Sequence, residues 1–137
     1  MKYLVYMSTS VRLFNDLDLK QILRKSQANN TVNDLTGMLL YSEGSFVQVL
    51  EGHADDLEAT YLKIMKDSRH KNIIKLAEGN LSERLFPTWS MGFKTVPQLE
   101  LSKFDAYVDP KKTIIWDDKH VHPAITIMKT FADTNHF

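Results

Sequence analysis

The segment Ser45-Phe-Val-Gln-Val-Leu-Glu-Gly52 decides the fold, because it is a strand-forming apolar run with an uncharged amide inside it. Side chains alternate between the two faces of a strand, so Phe46 and Gln48 share one face. Val47 and Val49 share the other, and we expect cover on both. A buried amide without hydrogen-bond partners costs about 1–3 kcal/mol. Gln48 therefore requires a partner, which is a backbone group, a second side chain or a bound molecule.

The composition indicates one domain with a sizeable core and excludes several classes of chemistry. A chain of 137 residues buries roughly two thirds of its unfolded surface. Its 17 Lys and Arg balance 17 Asp and Glu, which argues against a nucleic-acid or anionic-membrane surface. The absence of cysteine excludes disulfides, thiolate nucleophiles and cysteine metal sites. Without a membrane-spanning apolar run or a signal peptide, we expect a soluble, cytoplasmic protein.

Hydrophobic periodicity predicts four further strands around the central segment. Residues 2–8 are apolar at nearly every position, which is typical of a strand covered on both faces. A turn at Glu43-Gly44 joins residues 35–42 to the central segment as a hairpin. Residues 72–77 and 89–96 are the remaining predicted strands.

Two helices alternate with these strands. Apolar residues at helical spacing predict one over 16–30, capped by Asn15 or Asp16, and one over 54–69. The order is β-α-β-β-α-β plus a fifth strand, an α+β fold of the ferredoxin-like type. We expect the first and third strands to be parallel neighbours at the sheet centre, with both helices on one face.

The remaining residues, 97–137, are predicted to form a C-terminal helical extension of a first domain over 1–96. Helices are expected over 99–108 and over 122–131, the second with Pro123 near its first turn. The tail holds too many apolar residues to remain unpacked in solvent. We therefore expect it to pack on the other face of the sheet.

Six short blocks resemble the BLUF domain, a blue-light sensor that binds a flavin non-covalently, in its short single-domain type. They occur in the same order and on the predicted elements, within residues 2–96. The blocks are Leu4-Val-Tyr-Met-Ser8, Ser26-Gln-Ala-Asn-Asn30, Leu35-Thr-Gly-Met-Leu-Leu-Tyr41, Phe46-Val-Gln-Val-Leu-Glu-Gly52, Asp67-Ser-Arg-His70 and Phe86-Pro-Thr-Trp-Ser-Met-Gly-Phe93.

The resemblance implies a flavin ring between the two helices, with FAD as the cofactor and FMN or riboflavin as alternatives. Apolar contacts to the ring are expected from Ile22, Leu39, Phe46 and Ile64. Polar contacts to the flavin are expected from Ser8, Ser26, Asn29, Asn30, Gln48, Lys63, Asp67, Arg69 and His70. The family often has basic residues at the positions of Gln27 and Ala28, and this chain departs from the family pattern there.

The resemblance also implies a photochemical mechanism without substrate turnover, so we do not expect an enzyme. Tyr6 would donate an electron and a proton, and Gln48 would rearrange its hydrogen bonds by rotation or by tautomerisation. Trp89 and Met91 are the candidates to pass the change onward. The expected output is a separate effector protein or a change in self-association, and we expect a homo-oligomer.

The same residues also have ordinary structural interpretations. Tyr6 is also interpretable as a core tyrosine bonded to a backbone carbonyl, and Asn29-Asn30 as a helix C-cap. Trp89 and Met91 suit core packing, and Arg69-His70 suits a solvated helix end. The rival hypothesis is thus a light-insensitive ferredoxin-like interaction module.

Other chemistry is poorly supported. A small flavin oxidoreductase would need a substrate base, and none is evident. His120-Val-His122 has strand spacing but no third ligand, so no metal site is predicted. The sequence holds no P-loop, dinucleotide glycine motif or Ser-His-Asp set.

Overall fold

The computed structural model describes residues 1–93 and 122–135, with side chains described up to residue 89 in the first range. Within these ranges the strands are β1 Lys2–Ser10, β2 Thr36–Ser42, β3 Ser45–Gly52, β4 His70–Asn80 and β5 Trp89–Phe93. The helices are α1 Asp16–Val32, α2 Ala54–Met65 and α3 Pro123–Thr134. The predicted helix over 99–108 and the end of the predicted strand at 94–96 lie outside the described residues.

Local side-chain contacts set the helix boundaries. Asn15 accepts from the Asp18 N–H at 2.9 Å, and the Asp18 carboxylate accepts from the Asn15 N–H at 3.1 Å. This capping box begins α1 where it was predicted. The prediction that α2 runs to residue 69 is wrong. Asp67 accepts from the Arg69 N–H at 3.0 Å, a turn that competes with further helix, and α2 ends at Met65.

The strand order is β4-β1-β3-β2-β5, which confirms the ferredoxin-like arrangement. β1 and β3 are central neighbours as predicted, but they are antiparallel rather than parallel: Lys2 pairs with Gly52 and Tyr6 with Gln48. The short hairpin makes β2 and β3 antiparallel, and the crossover through α1 makes β1 and β2 parallel. The strand between them therefore runs opposite to both.

Both faces of the sheet are covered, which explains the apolar strands. On one face, α1 and α2 pack over a cluster that includes Phe46 and Leu50. On the other face, α3 packs over a cluster that includes Val47 and Val49. The prediction that a C-terminal helix covers the second face is confirmed by α3. None of the helices in the described ranges has the length and apolarity needed to cross a bilayer.

A buried carboxylate holds the connection between β4 and β5. Glu51 is fully buried, and it accepts from the N–H groups of Leu85 at 3.0 Å and Phe86 at 2.7 Å. Its Oε1 also accepts from the Thr36 hydroxyl at 2.9 Å. These hydrogen bonds offset the cost of burying the charge, and they anchor the segment that leads into Trp89.

Candidate functional site

A cavity of about 470 Å³ lies on the sheet face that carries α1 and α2. Its volume falls within the range of roughly 300–1,000 Å³ that is typical of small-molecule sites. The sheet strands contribute Tyr6, Leu39, Phe46, Gln48 and His70 to its lining, and α1 contributes Ile22, Lys25, Ser26, Asn29 and Asn30. The rest of the lining is Phe14, Thr60, Lys63, Ile64, Lys66, Asp67, Ser68 and Arg69.

The partner that Gln48 requires is Tyr6. The two residues are paired across β1 and β3, and each side chain is 4% exposed. The Tyr6 hydroxyl donates to Oε1 of Gln48 over 2.6 Å. Because this bond occupies the amide carbonyl, the two N–H donors of Gln48 are left for a partner in the cavity that it lines.

The surroundings of Tyr6 keep its hydroxyl protonated. Burial raises the pKa of Tyr6 above its ordinary value, and the nearby Tyr61 phenol and Asp67 carboxylate raise it further. The Tyr61 ring lies 5.9 Å and the His70 ring 6.3 Å from the Tyr6 ring, centroid to centroid. Tyr6 is therefore a hydrogen-bond donor to Gln48 at neutral pH.

Two asparagines bring amide groups to the helical wall. Asn30 is 2% exposed, and its Oδ1 accepts from Nδ2 of Asn29 at 3.2 Å. The interpretation of Asn29-Asn30 as the helix cap is wrong, because α1 continues and ends with Asn33 as its C-cap. A buried amide facing a cavity suits hydrogen bonding to the polar edge of a planar ligand.

His70 is held from two sides. Its Nε2 lies 2.5 Å from the carbonyl oxygen of Ile64, and because a carbonyl only accepts, Nε2 carries a proton. Its Nδ1 lies 2.8 Å from the Ser8 hydroxyl. Ser8 was predicted to contact the flavin, but it does not line the cavity. It lies against His70 and orients that ring.

Asp67 and Arg69 form a close ion pair at the cavity. Nε of Arg69 lies 3.0 Å from both carboxylate oxygens, and Nη2 lies 2.5 Å from Oδ2. Hydrogen bonds from Arg69 lower the pKa of Asp67, and those bonds raise the pKa of Arg69. Both side chains are therefore charged at neutral pH, and Arg69 is largely committed to Asp67.

Five lining residues were not predicted from the sequence: Phe14, Lys25, Thr60, Lys66 and Ser68. Helical spacing offers a signal for two of them, since Lys25 is three residues after Ile22 and Thr60 is four before Ile64. Lys66 and Ser68 were missed because α2 was predicted to continue through them. Phe14 lies between β1 and α1, where no periodicity applies.

The two residues proposed to transmit the signal are on β5, beside β2. Trp89 pairs with Gly37 and Met91 with Leu39 in the parallel register. Trp89 is 7% exposed within the cluster beneath α1 and α2, and it does not line the cavity. Its indole N–H is buried and has no hydrogen-bond partner among the described residues. The Met91 side chain lies outside the described part of the chain.

The histidine pair near the C-terminus is only partly described. His122 is the N-cap of α3: its Nδ1 accepts from the Ala124 N–H at 3.1 Å. Its ring also packs edge-on to that of Tyr3, 4.7 Å between centroids. No group of three or more metal-ligating side chains occurs within residues 1–93 and 122–135.

The residues around the cavity fit a flavin. Apolar side chains such as Ile22, Leu39 and Phe46 suit the faces of an aromatic ring. The buried amides of Asn30 and Gln48 suit a ring edge that has both donors and acceptors.

Curated relatives match between about half and 70% of the chain. The chain is 37% identical over 97 residues to the photoactivated adenylate cyclase subunit beta of Euglena longa, covering 70% of this chain and 11% of that protein. It is 39% identical over 83 residues to the subunit alpha of Euglena gracilis, covering 61% and 8%. The chain thus spans about a tenth of the length of these relatives.

Solved structures share the whole fold. BlrB, a BLUF protein in its dark state, matches with 29% identity and a TM-score of 0.65, covering 97% of this chain and 96% of that chain. A bacterial light-regulated adenylyl cyclase matches with 28% identity and a TM-score of 0.64, covering 98% and 33%.

The family model described as sensors of blue light using FAD matches residues 1–92. This confirms the resemblance of the six blocks to the blue-light sensor family. BLUF proteins use a flavin, so the prediction of a flavin cofactor is confirmed, whereas the choice of FAD stays a prediction. The chain belongs to the BLUF family.

Proposed function

We propose that this chain senses blue light through the hydrogen bond between Tyr6 and Gln48, with FAD bound non-covalently in the cavity. The observation that carries the proposal is the 2.6 Å contact between a buried phenol and a buried amide at the wall of a ligand-sized cavity. If Tyr6 and Gln48 served only to pack the core, the fold would not require a ligand-sized cavity beside them.

The flavin ring would be held by the lining already described. Ile22, Leu39, Phe46 and Ile64 would enclose its faces, and Ser26, Asn29, Asn30 and Gln48 would bind its polar edge. Lys63, Asp67, Arg69 and His70 would lie along the ring edge and the ribityl chain. FMN remains an alternative to FAD, since BlrP1 of Klebsiella pneumoniae, 28% identical over 68% of this chain with a TM-score of 0.61, was solved with FMN.

When bound, the flavin supplies blue-light absorption and an excited state that accepts one electron. Tyr6 would supply that electron, and its hydroxyl proton would pass to Oε1 of Gln48. The Gln48 amide would release one of its N–H protons toward the flavin in exchange, so that the amide stays neutral. Gln48 then loses its donor and turns or tautomerises its amide. Tyr6 recovers the electron and the proton when charge recombines, so the lasting change is in the hydrogen bonds of Gln48.

The output would run through a separate effector protein, accompanied by self-association of the chain. BlrB and BlsA support this arrangement, because the match covers 96% and 93% of their chains and so leaves little room there for an effector domain. Trp89 and Met91 on β5 would carry the change away from the cavity. We propose no direct nucleic-acid or membrane partner, since the net charge of the chain is zero.

Visible absorption before and after blue illumination tests the proposal. We expect a flavin band that shifts slightly to the red and recovers in the dark. A bound flavin that does not shift would contradict the light-sensing role. Colourless protein that takes up no added flavin would favour the light-insensitive interaction module.

A further inference from the structure

We propose that Arg84, in the connection between β4 and β5, is a positioning residue that fixes the spacing between the two buried cavity amides, Asn30 and Gln48. The inference rests on the proposed function, because these are the amides that would bind the polar edge of the flavin ring. Arg84 does not line the cavity. It would therefore act on the ligand through the backbone of the elements that carry the amides.

A single guanidinium group joins those two elements. Nη2 of Arg84 donates to the carbonyl oxygen of Asp34 at 2.8 Å, and Nη1 donates to that of Glu51 at 3.1 Å. Asp34 comes four residues after Asn30, in the turn that follows α1, and Glu51 comes three residues after Gln48 on β3. The planar guanidinium presents its donors in fixed directions, so it holds the two carbonyl groups at a defined separation.

The link from Asp34 back to Asn30 is short and hydrogen-bonded. The Leu35 N–H donates to the Asn30 carbonyl at 2.8 Å, and the Asp34 N–H donates to the Thr31 carbonyl at 3.3 Å. The turn also lies directly on the end of β3, since a Cβ at Gly52 would be 3.2 Å from the Asp34 carbonyl oxygen. A displacement of the Asp34 carbonyl would therefore move the end of α1, and Asn30 with it.

On the β3 side, Arg84 and the buried carboxylate of Glu51 share one hydroxyl group. Nη1 of Arg84 donates to Oγ1 of Thr36 at 2.7 Å, and that hydroxyl donates to Oε1 of Glu51 at 2.9 Å. Glu51 is fully buried, whereas the Arg84 side chain is 25% exposed. A cation one hydroxyl away stabilises the buried anion, and the attraction keeps the guanidinium at the end of β3.

A surface ion pair does not account for the position of Arg84. Its Nη2 lies 3.3 Å from Oδ2 of Asp34, a side chain that is 79% exposed, and such pairs contribute little. The shorter contacts are with the Asp34 carbonyl and the Thr36 hydroxyl. These acceptors belong to the turn and to β2, so the contacts of Arg84 determine backbone positions.

The spacing matters because the two amides come from different walls of the cavity, Asn30 from α1 and Gln48 from β3. They are 2% and 4% exposed, so a ligand in the cavity is the partner available to their remaining donors. Hydrogen bonds are strong only up to about 3.2 Å. A rigid planar ring can therefore bind both amides at full strength only when their separation is correct.

The test is a titration of flavin-depleted Arg84→Met with FAD in the dark, followed by infrared spectra of the bound flavin. We expect FAD to bind about fivefold more weakly, the loss that weakening one hydrogen bond produces. The ring carbonyl bands should move to higher frequency, because weaker hydrogen bonds leave the C=O bonds stronger. Arg84→Lys should show the same shift, since an ammonium group keeps the charge but lacks the rigid fork.

Two control variants separate positioning from general effects. Arg24→Met makes the same substitution at an exposed residue of α1 that does not line the cavity, and Gly79→Ala perturbs the fold at Tyr3. Both should leave the carbonyl bands in place. Unchanged affinity and bands in Arg84→Met, or full rescue by Arg84→Lys, would overturn the inference. Failure of the unmodified protein to bind FAD would instead overturn the proposed flavin site.

Discussion

The Tyr6 hydroxyl donates to Oε1 of Gln48 across directly paired residues of β1 and β3. Pairing in this register brings the two side chains to the same face of the sheet, because facing residues of adjacent strands point the same way. A slip of one residue would turn one of them to the α3 face. The sheet register and the hydrogen bond are therefore set together.

Replacing Tyr6 by Phe should abolish the light-induced red shift and leave flavin bound. The variant removes the proposed electron and proton donor but keeps the ring that lines the cavity. It also leaves the Gln48 carbonyl without its donor, so we expect unfolding to become easier by about 1 kcal/mol. Tyr61→Phe is the control. Its ring centroid lies 5.9 Å from that of Tyr6, and this variant should retain the light-induced shift. A normal photocycle in Tyr6→Phe would contradict the donor role.

Replacing Gln48 by Leu should also remove the shift. Leu has a similar size and no hydrogen-bonding groups, so Tyr6 loses its acceptor and the proposed amide switch is removed. Difference absorption spectra after blue illumination measure the effect. Gln21→Leu makes the same substitution at an exposed position of α1, and its spectra should match those of the unmodified protein. A full shift in Gln48→Leu would show that the amide is not the switch.

Gly37 should not tolerate a side chain. Its φ is +147°, and a Cβ there would lie 1.9 Å from the carbonyl oxygen of Val49, so β2 and β3 would have to separate. We expect Gly37→Ala to lower the free energy of unfolding by more than about 2 kcal/mol, measured by urea denaturation. In Gly79→Ala the nearest atoms to the added Cβ belong to the Tyr3 side chain, at 3.0 Å or more, and the loss should be smaller. Equal losses would contradict the steric argument.

Replacing Glu51 by Gln should loosen the connection into β5. A carboxylate accepts from Leu85, Phe86 and Thr36 together, whereas an amide directs two donors of its own at these groups. We expect a loss of about 2–3 kcal/mol in the free energy of unfolding and faster proteolysis within residues 81–88.

Glu78→Gln is the control for the Glu51 variant, because Glu78 is exposed and, among the described residues, its ion pair is with Lys75. Its effect should stay within about 0.5 kcal/mol. Unchanged stability and protease resistance in Glu51→Gln would rule out an anchoring role for this carboxylate.

Acid should weaken the fold through Asp67. Arg69 holds the pKa of Asp67 below its ordinary value, so the folded state favours the ionised form. This contribution is complete above about pH 4, the ordinary value for aspartate, and it is lost as pH falls through the lowered value. Urea midpoints from pH 6 to pH 3 should therefore fall less for Asp67→Asn than for the unmodified protein. Parallel declines would contradict the linkage.

Strand alternation and helical spacing predicted the elements, because those periods depend only on which residues are apolar. The same patterns carry no information on strand direction, and the predicted parallel pairing of β1 and β3 was wrong for that reason. The direction follows from connectivity, through the Glu43-Gly44 hairpin and the α1 crossover.

The candidate site was predictable where short motifs coincide with periodicity, as at Tyr6, Asn30 and Gln48. Sequence reasoning failed where a hydrogen bond from a single side chain determines where a helix ends. Asp67 turns the chain at the end of α2, which brings Lys66 and Ser68 to the cavity. No local pattern shows that event, because extending the helix was equally compatible with the spacing.

β3 contributes neighbouring residues to different layers, with Gln48 at the cavity and Val47 and Val49 in the cluster under α3. The two layers are thus separated by a single peptide unit. We expect a substitution that shifts β3 at Val47 or Val49 to alter the distance between Oε1 of Gln48 and the Tyr6 hydroxyl as well. The backbone of β3 therefore couples the packing beneath α3 to the geometry of the hydrogen bond between Tyr6 and Gln48.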